Sequence, residues 1–359
     1  MVSLYFHIPF CTKKCPYCHF FVMRKNPVHE QTLMDGLFLE WRWRLPMLQG
    51  KTITSLYFGG GTPSQLNPSH LASLIALIKE THALDCEITL ELNPDDATPE
   101  LLSDYLQMGI NRLSIGVQSF DNAQLKTLGR LHTSQTAQNA IHLAHKVGFK
   151  NISIDLMYDL PHQTLATWQH TLDITKTLPI THLSLYNLTF EEPSAFHRKQ
   201  KSLQPHLPSE EMSLKMHTMA IDQIPLERYE ISAFGTPSIH NTGYWTARPF
   251  LGFGPSAFSY WEGKRFRNIL NLPKYTQALQ SEKSPVDFTE ELAPKAKERE
   301  LLAIHLRLLK GAPLPPMDRD IEKLIEKQWL KIEDDRLKLT EQGLLFYDSV
   351  ASELIELSY

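Results

Sequence analysis

Three cysteines, Cys11, Cys15 and Cys18, fall within eight residues near the start of the chain. Thiolates are metal ligands, and a chain of 359 residues with only four cysteines has too few for a disulfide framework. Spaced three and then two residues apart, they can wrap one side of a [4Fe–4S] cubane and leave the fourth iron open to an exchangeable ligand. The competing reading is a structural zinc held by the same cysteines with His7 or His19. Structural zinc usually ties two separated knuckles together, and eight residues on one loop would tie little. Cys86, alone in Leu84-Asp85-Cys86-Glu87, reads as a small apolar residue.

A second chemical signal is Gly59-Gly60-Gly61-Thr62-Pro63. Glycines directly after a strand let the backbone approach a ligand closely and aim N–H groups at it. Their spacing is not the dinucleotide fingerprint, and no lysine follows as in a phosphate loop.

Something must position these groups. Six short strand candidates, Leu4–Ile8, Ile53–Phe58, Glu87–Leu92, Arg112–Val117, Ile152–Leu156 and His182–Asn187, alternate mostly with helical stretches. That alternation builds a parallel sheet linked by crossover helices. Met34, Leu37, Phe38, Trp41 and Leu45 share one helical face, as do Ala137, Ala140, Ile141 and Ala144. Within the strands, Ile88, Leu90 and Leu92 oppose Thr89, Glu91 and Asn93. Leu113, Ile115 and Val117 oppose Arg112, Ser114, Gly116 and Gln118, and Ile152, Ile154 and Leu156 oppose Ser153, Asp155 and Met157. One greasy face and one polar face fit a curved sheet closing as a barrel, or part of one, around a polar ligand. Simple exposure of the polar face is the alternative.

The second half is less regular. Phe190–Pro208 reads as a linker or long loop, Glu210–Ile224 as a helix and Arg228–Ser232 as a strand; 235–263 is the most loop-like stretch. Beyond Pro285 the pattern is helical and ends in Ile321–Trp329, a short pair at Leu330–Glu333 and Leu337–Leu339, and a helix Thr340–Leu357, a winged-helix-like arrangement. Its charges are mixed, and the whole chain carries 36 Lys+Arg against 40 Asp+Glu, so a nucleic-acid binder is not expected. The best apolar run, Leu71–Ile78, is far short of a membrane helix, and the start of the chain has no basic signal-peptide region, so a cytoplasmic protein is expected.

The cysteine spacing, with Tyr17 just before the last cysteine, resembles the radical S-adenosylmethionine superfamily. Gly59–Pro63, Gly116-Val117-Gln118-Ser119-Phe120 and Asp155-Leu156-Met157-Tyr158-Asp159-Leu160-Pro161 narrow the resemblance to its coproporphyrinogen dehydrogenase-like branch. The resemblance implies an α/β fold, a radical-SAM partial (β/α)6 barrel, with a C-terminal, mostly helical, winged-helix-like domain. It implies a cluster bound by Cys11, Cys15 and Cys18. It also implies S-adenosylmethionine lined by Tyr5, Tyr17, Gly60, Gly61, Thr62, Glu91, Gln118, Arg130 and Asp155. Strand alternation independently puts Glu91, Gln118 and Asp155 on the polar face.

The decarboxylating members of the branch have a further cysteine two residues past the motif and a long segment before it. Here that position is Phe20, and ten residues precede Cys11. Both features resemble the heme-chaperone members instead, as does His240-Asn241-Thr242-Gly243-Tyr244-Trp245, an HNxxYW stretch associated with heme. That resemblance implies heme as ligand, with His240 and Tyr244 as candidate iron ligands, and heme-acceptor proteins as partners. An electron donor joins them if radical cleavage occurs. Taken alone, a His-Asn pair in such a stretch reads as a turn. Glu230 and Ser232 also match the branch, with a structural hydrogen bond as their default role, and His142 and His145 read as solvated. The expected organisation is a core at 1–225, an irregular extension at 226–285 and a C-terminal domain at 286–359. The leading expectation is a heme chaperone with cluster and S-adenosylmethionine. The alternatives are an oxygen-independent coproporphyrinogen III dehydrogenase and a zinc-stabilised interaction protein.

Overall fold

The computed structural model describes residues 1–356. All six expected strands form: β1 (Val2–Ile8), β2 (Ile53–Gly60), β3 (Glu87–Leu92), β4 (Arg112–Gln118), β5 (Asn151–Tyr158) and β6 (His182–Asn187). They pair in chain order and in parallel. Their connections carry helices α1 (Pro27–Leu48), α2 (Pro68–Lys79), α3 (Pro99–Met108), α4 (Asn122–Thr127), α5 (Ser134–Val147) and α6 (Leu165–Thr175). The helix starts are encoded locally. Asn26, Asn67, Thr98, Thr133 and Thr164 each cap a helix by accepting a backbone N–H, and Pro27, Pro68 and Pro99 stiffen the first turns.

The two faces of the strands separate as their alternation predicts. Leu90, Leu113 and Ile154 are buried in one apolar core with Ile75, Leu102 and Ile141 of the covering helices. On the other face Thr89, Ser114 and Ser153 are buried too, so the polar side is enclosed rather than exposed.

The sheet continues beyond the six strands. On one side come β7 (Arg228–Glu230) and β8 (Ala233–Gly235), with β8 antiparallel to β6. On the other, β9 (Phe250–Phe253) lies parallel to β1 and leads to β10 (Phe258–Trp261), β11 (Lys264–Asn268) and β12 (Val286–Glu291), making twelve strands. Thus 235–263 is not the loop its composition suggests. It holds a helix, Ile239–Trp245, capped by Ser238 and by the Glu87 carboxylate, which accepts from the N–H groups of Ile239 and His240. Phe190–Pro208 is no free linker either: Phe196 and Leu188 form a small apolar cluster with Tyr17, Phe190, Leu203 and Leu207 beside the cysteine loop.

A buried polar network fastens α1 to this extension. Arg44 Nε donates to Glu40 Oε1 (2.7 Å), and Glu40 also accepts from Asn268 Nδ2 (2.8 Å), the Gly254 N–H (2.8 Å) and the Tyr275 hydroxyl. The α1 face read as apolar is buried at Met34, Leu37 and Trp41, but Glu40 and Arg44 bury a second face that hydropathy does not reveal.

After β12 the helices Pro294–His305 and Arg319–Glu326, the three-stranded antiparallel sheet β13 (Ala312–Pro313), β14 (Leu330–Glu333) and β15 (Arg336–Leu339), and helices Glu341–Leu345 and Tyr347–Glu356 gather around a separate core of Leu302, Leu306, Leu324, Leu337 and Val350. The single helix expected over Thr340–Leu357 is two, interrupted at Phe346, and Leu357 lies outside the described residues. No helix among the described residues is long and apolar enough to cross a membrane.

Candidate functional site

The carboxyl ends of β2 to β6 and the loop after β1 enclose a cavity of about 410 Å³. The chain leaves β1 at Ile8 and passes over the glycine loop. The Gly61 N–H donates to the Ile8 carbonyl (2.9 Å) and the Thr62 N–H to the Phe10 carbonyl (2.7 Å). The loop closes where the Met23 N–H meets the Pro9 carbonyl (2.7 Å) and the Cys11 N–H the Met23 carbonyl (3.0 Å). Only glycine fits this crossing. Gly60 has φ +108°, and a Cβ there would come within 2.4 Å of the His7 ring; at Gly61 it would lie 2.7 Å from the Phe10 carbonyl oxygen.

Cys11, Cys15 and Cys18 line one side of the cavity, each partly accessible. Cys11 Sγ lies 3.5 Å from Thr62 Oγ1, and Arg130 Nη1 donates to Cys15 Sγ at 3.7 Å. Burial pushes the Cys11 thiol up to about 11 and raises that of Cys18 as well. Without a cation these thiols hold their protons, and metal binding would release them.

Facing the thiols are the polar residues of the inner strand face. Glu91 accepts from the Tyr57 hydroxyl (2.9 Å) and from the Gly60 N–H (3.0 Å). Burial, with Asp155 nearby, nonetheless pushes its carboxyl up to about 7. Burial likewise lifts Asp155 to about 6, against the pull of Ser184, Arg112 and Arg130. Arg130 Nη2 donates to Asn93 Oδ1 and to the Gly116 carbonyl, both at 2.7 Å, which fixes the guanidinium against the sheet. Gln118 follows a register shift in the β4–β5 pairing and sits at φ +65°. Left-handed backbone at a non-glycine residue costs energy, and such positions concentrate at sites. Gln118 Oε1 and Arg130 Nε are buried with no hydrogen-bond partner among the described residues.

Tyr17, Gly60, Gly61, Thr62, Glu91, Gln118, Arg130 and Asp155 all line this one cavity with the three cysteines. Tyr5 does not. It stands behind the wall, its hydroxyl 3.1 Å from His7 Nδ1 and its ring 6.1 Å from that of Tyr57, which in turn holds Glu91. His7 Nε2 meets the Phe21 carbonyl (2.9 Å), so both ring nitrogens are engaged and neither is free for a metal. His19 is exposed at the cavity rim, and Cys86 lies half-buried elsewhere. Asn93, Tyr186 and Asn187 also line the cavity. The alternation that singles out Glu91 also marks Asn93, and extended to β6 it marks Tyr186.

His240 and Tyr244 are not on the cavity wall. His240 is 1% exposed, its Nδ1 2.9 Å from Ser55 Oγ and its Nε2 2.8 Å from the Tyr244 hydroxyl. Burial, with Arg112 and Arg248, lowers its pKa to about 3, so the ring is neutral. Glu230 Oε1 accepts from the Ser232 N–H (3.1 Å), and Oε2 lies 3.5 Å from Arg307, the structural role expected of it. His142 and His145 are exposed.

The cavity suits a small zwitterionic ligand beside a cluster. It offers carboxyl groups for a cation, a fixed guanidinium for a carboxylate, glycine backbone for close approach and three thiols at its edge. Comparison with known proteins agrees in kind: the profile of the radical SAM superfamily matches residues 5–174. The solved coproporphyrinogen III oxidase (HemN) of Escherichia coli, a radical SAM enzyme, shares the fold with a TM-score of 0.85, covering 99% of this chain and 90% of that one at 24% identity. The heme chaperone HemW of Lactococcus lactis is 31% identical over 98% of this chain and 97% of its own length. That of Bacillus subtilis is 32% identical over 87% and 84% respectively. The chain belongs to the HemW family of the radical SAM superfamily.

Proposed function

We propose that this protein is a cytoplasmic heme chaperone. It takes up heme and passes it to acceptor proteins, with a [4Fe–4S] cluster on Cys11, Cys15 and Cys18 and S-adenosylmethionine in the adjoining cavity. The observation that carries the cofactor part is the convergence of eight expected ligand-lining residues and three thiols on one enclosed space. Family membership carries the heme part.

When bound, the cluster would supply an electron and S-adenosylmethionine a cleavable sulfonium. The chain's own residues prepare the cavity for that pair. Glu91 and Asp155 are protonated in part near neutral pH and ionise toward a cationic ligand. Arg130, fixed by Asn93 and Gly116, offers charge to a carboxylate. The Gly60–Thr62 backbone, locked to the cysteine loop, keeps the two halves of the site in register. Tyr5 acts from behind, by packing on Tyr57. For His240 or Tyr244 to ligate iron, the His240 ring would have to part from Ser55 and from Tyr244.

The test offers heme and coproporphyrinogen III to one anaerobically reconstituted preparation with S-adenosylmethionine and a heme-free acceptor. Binding and transfer of heme without porphyrinogen turnover is expected. Turnover to protoporphyrinogen would make the chain a dehydrogenase. A preparation free of iron and sulfide but rich in zinc would remove the cofactor reading.

A further inference from the structure

The cavity wall and the HNxxYW stretch stand back to back, with a single side chain between them. Ser55 and Tyr57 lie two apart on β2, so both point to its inner polar face. Ser55 Oγ meets His240 Nδ1 at 2.9 Å, and the Tyr57 hydroxyl donates to Glu91 Oε1, also at 2.9 Å. The Tyr57 ring lies 4.7 Å from the His240 ring and is tilted by 31° to it, within the range of a packed aromatic pair. Tyr5 backs both rings, at 6.1 Å from Tyr57 and 6.4 Å from His240. On its other edge, His240 Nε2 meets the Tyr244 hydroxyl at 2.8 Å.

The first glycine of the loop makes room for this contact. Gly59 is not in the left-handed region, yet a Cβ there would come within 2.8 Å of the Tyr57 ring and 3.0 Å of Glu91 Oε1. Any side chain at 59 would push Tyr57 off Glu91. The helix that carries His240 is held to the same wall, because Glu87 at the start of β3 caps it. Glu91, Tyr57 and His240 thus form one packed row from the cavity to the HNxxYW helix.

Resting on the heme-chaperone reading, we infer that Tyr57 is a positioning residue that couples the two ligands: S-adenosylmethionine in the cavity favours release of heme from His240. Glu91 is aimed into the cavity by the Tyr57 hydroxyl and the Gly60 N–H. Tyr57 in turn rests on the docked His240 ring. An imidazole that swings out to bind iron leaves Ser55 and Tyr244 and takes away the surface beside Tyr57. Glu91 then loses a fixed donor, and the cavity loses a preorganised carboxyl. Linkage is reciprocal, so if heme on His240 weakens S-adenosylmethionine, S-adenosylmethionine weakens heme by the same factor. The one hydrogen bond at stake sets that factor at about fivefold. A carrier has to hold its cargo and then let it go, and the ligand of the cavity gives the second signal.

The test titrates ferric heme into the cluster-loaded protein, with and without saturating S-adenosylmethionine and with no reductant added, reading affinity from the Soret band. The same titrations are made on Tyr57→Phe, which keeps the ring and removes the hydroxyl, and on Ser55→Ala, with circular dichroism to check the fold. S-adenosylmethionine should weaken heme about fivefold in the unaltered protein and less than about twofold in Tyr57→Phe. Ser55→Ala leaves the docked His240 with one bond fewer, so it should bind heme about fivefold more tightly without S-adenosylmethionine, whether or not the cluster is loaded. A merely structural role would weaken both ligands together and spare the ratio between them. The inference would be overturned, and the chaperone reading left intact, by two ligands that bind without affecting each other. The same holds for a coupling undiminished in folded Tyr57→Phe, or for a folded Ser55→Ala that binds heme no more tightly. Failure of the unaltered protein to bind heme would overturn both.

Discussion

Replacing Glu91 with Gln should flatten one component of the protein's pH-dependent stability. Folding takes this carboxyl from an ordinary 4.5 to about 7, chiefly by burial. Between those values the folded chain holds a proton that the unfolded chain has released, so stability falls as pH rises through the window. Once both states are ionised the penalty is about 3 kcal/mol, or about 2 where cavity water screens the charge. Glutamine keeps the acceptor for the Tyr57 hydroxyl but turns an N–H toward the Gly60 N–H. That mismatch costs about 1 kcal/mol and does not depend on pH. His7, His182 and His240, held at about 4, 3 and 3 by burial, tilt stability the other way, because it is lost as pH falls below their ordinary value. They are common to both proteins and cancel in the difference. Urea midpoints of cluster-free protein at pH 5, 6, 7 and 8 supply the measurement. Wild-type stability minus that of Glu91→Gln should decline by about 2–3 kcal/mol across the series. A flat difference would refute the claim that Glu91 is buried in a cavity awaiting a cation.

Cys15→Ser should abolish the brown chromophore and cut bound iron and sulfide after anaerobic reconstitution, while the far-ultraviolet circular dichroism stays unchanged because the loop is held by backbone bonds at Pro9, Cys11 and Met23. Glu40→Ala should destabilise the fold by about 3–5 kcal/mol in urea, since Arg44 would be left buried and unpaired. Little loss there would mean that the α1 network is solvated.

Much of this fold is legible along the chain. Period-two patterns such as Ile88-Thr89-Leu90-Glu91 define both the strands and the inward polar face, because a strand exposes alternate residues to opposite sides whatever follows. Helix starts are equally local, written in pairs such as Asn26-Pro27 and Thr98-Pro99. The extension is less local. The helix Ile239–Trp245 owes part of its start to Glu87, about 150 residues away, and β9 owes its place to an edge of β1. Composition carries no trace of either partner.

The same division runs through the sites. Amino-acid order alone determined the cysteine spacing, the glycine loop and the alternation that sends Glu91, Gln118 and Asp155 inward, since each depends on neighbours a few residues apart. Tertiary packing alone decided that His7 and His240 have their ring nitrogens occupied. An imidazole's availability is fixed by whatever lies across from it, and for His240 that is Ser55, which only the folded sheet brings within reach.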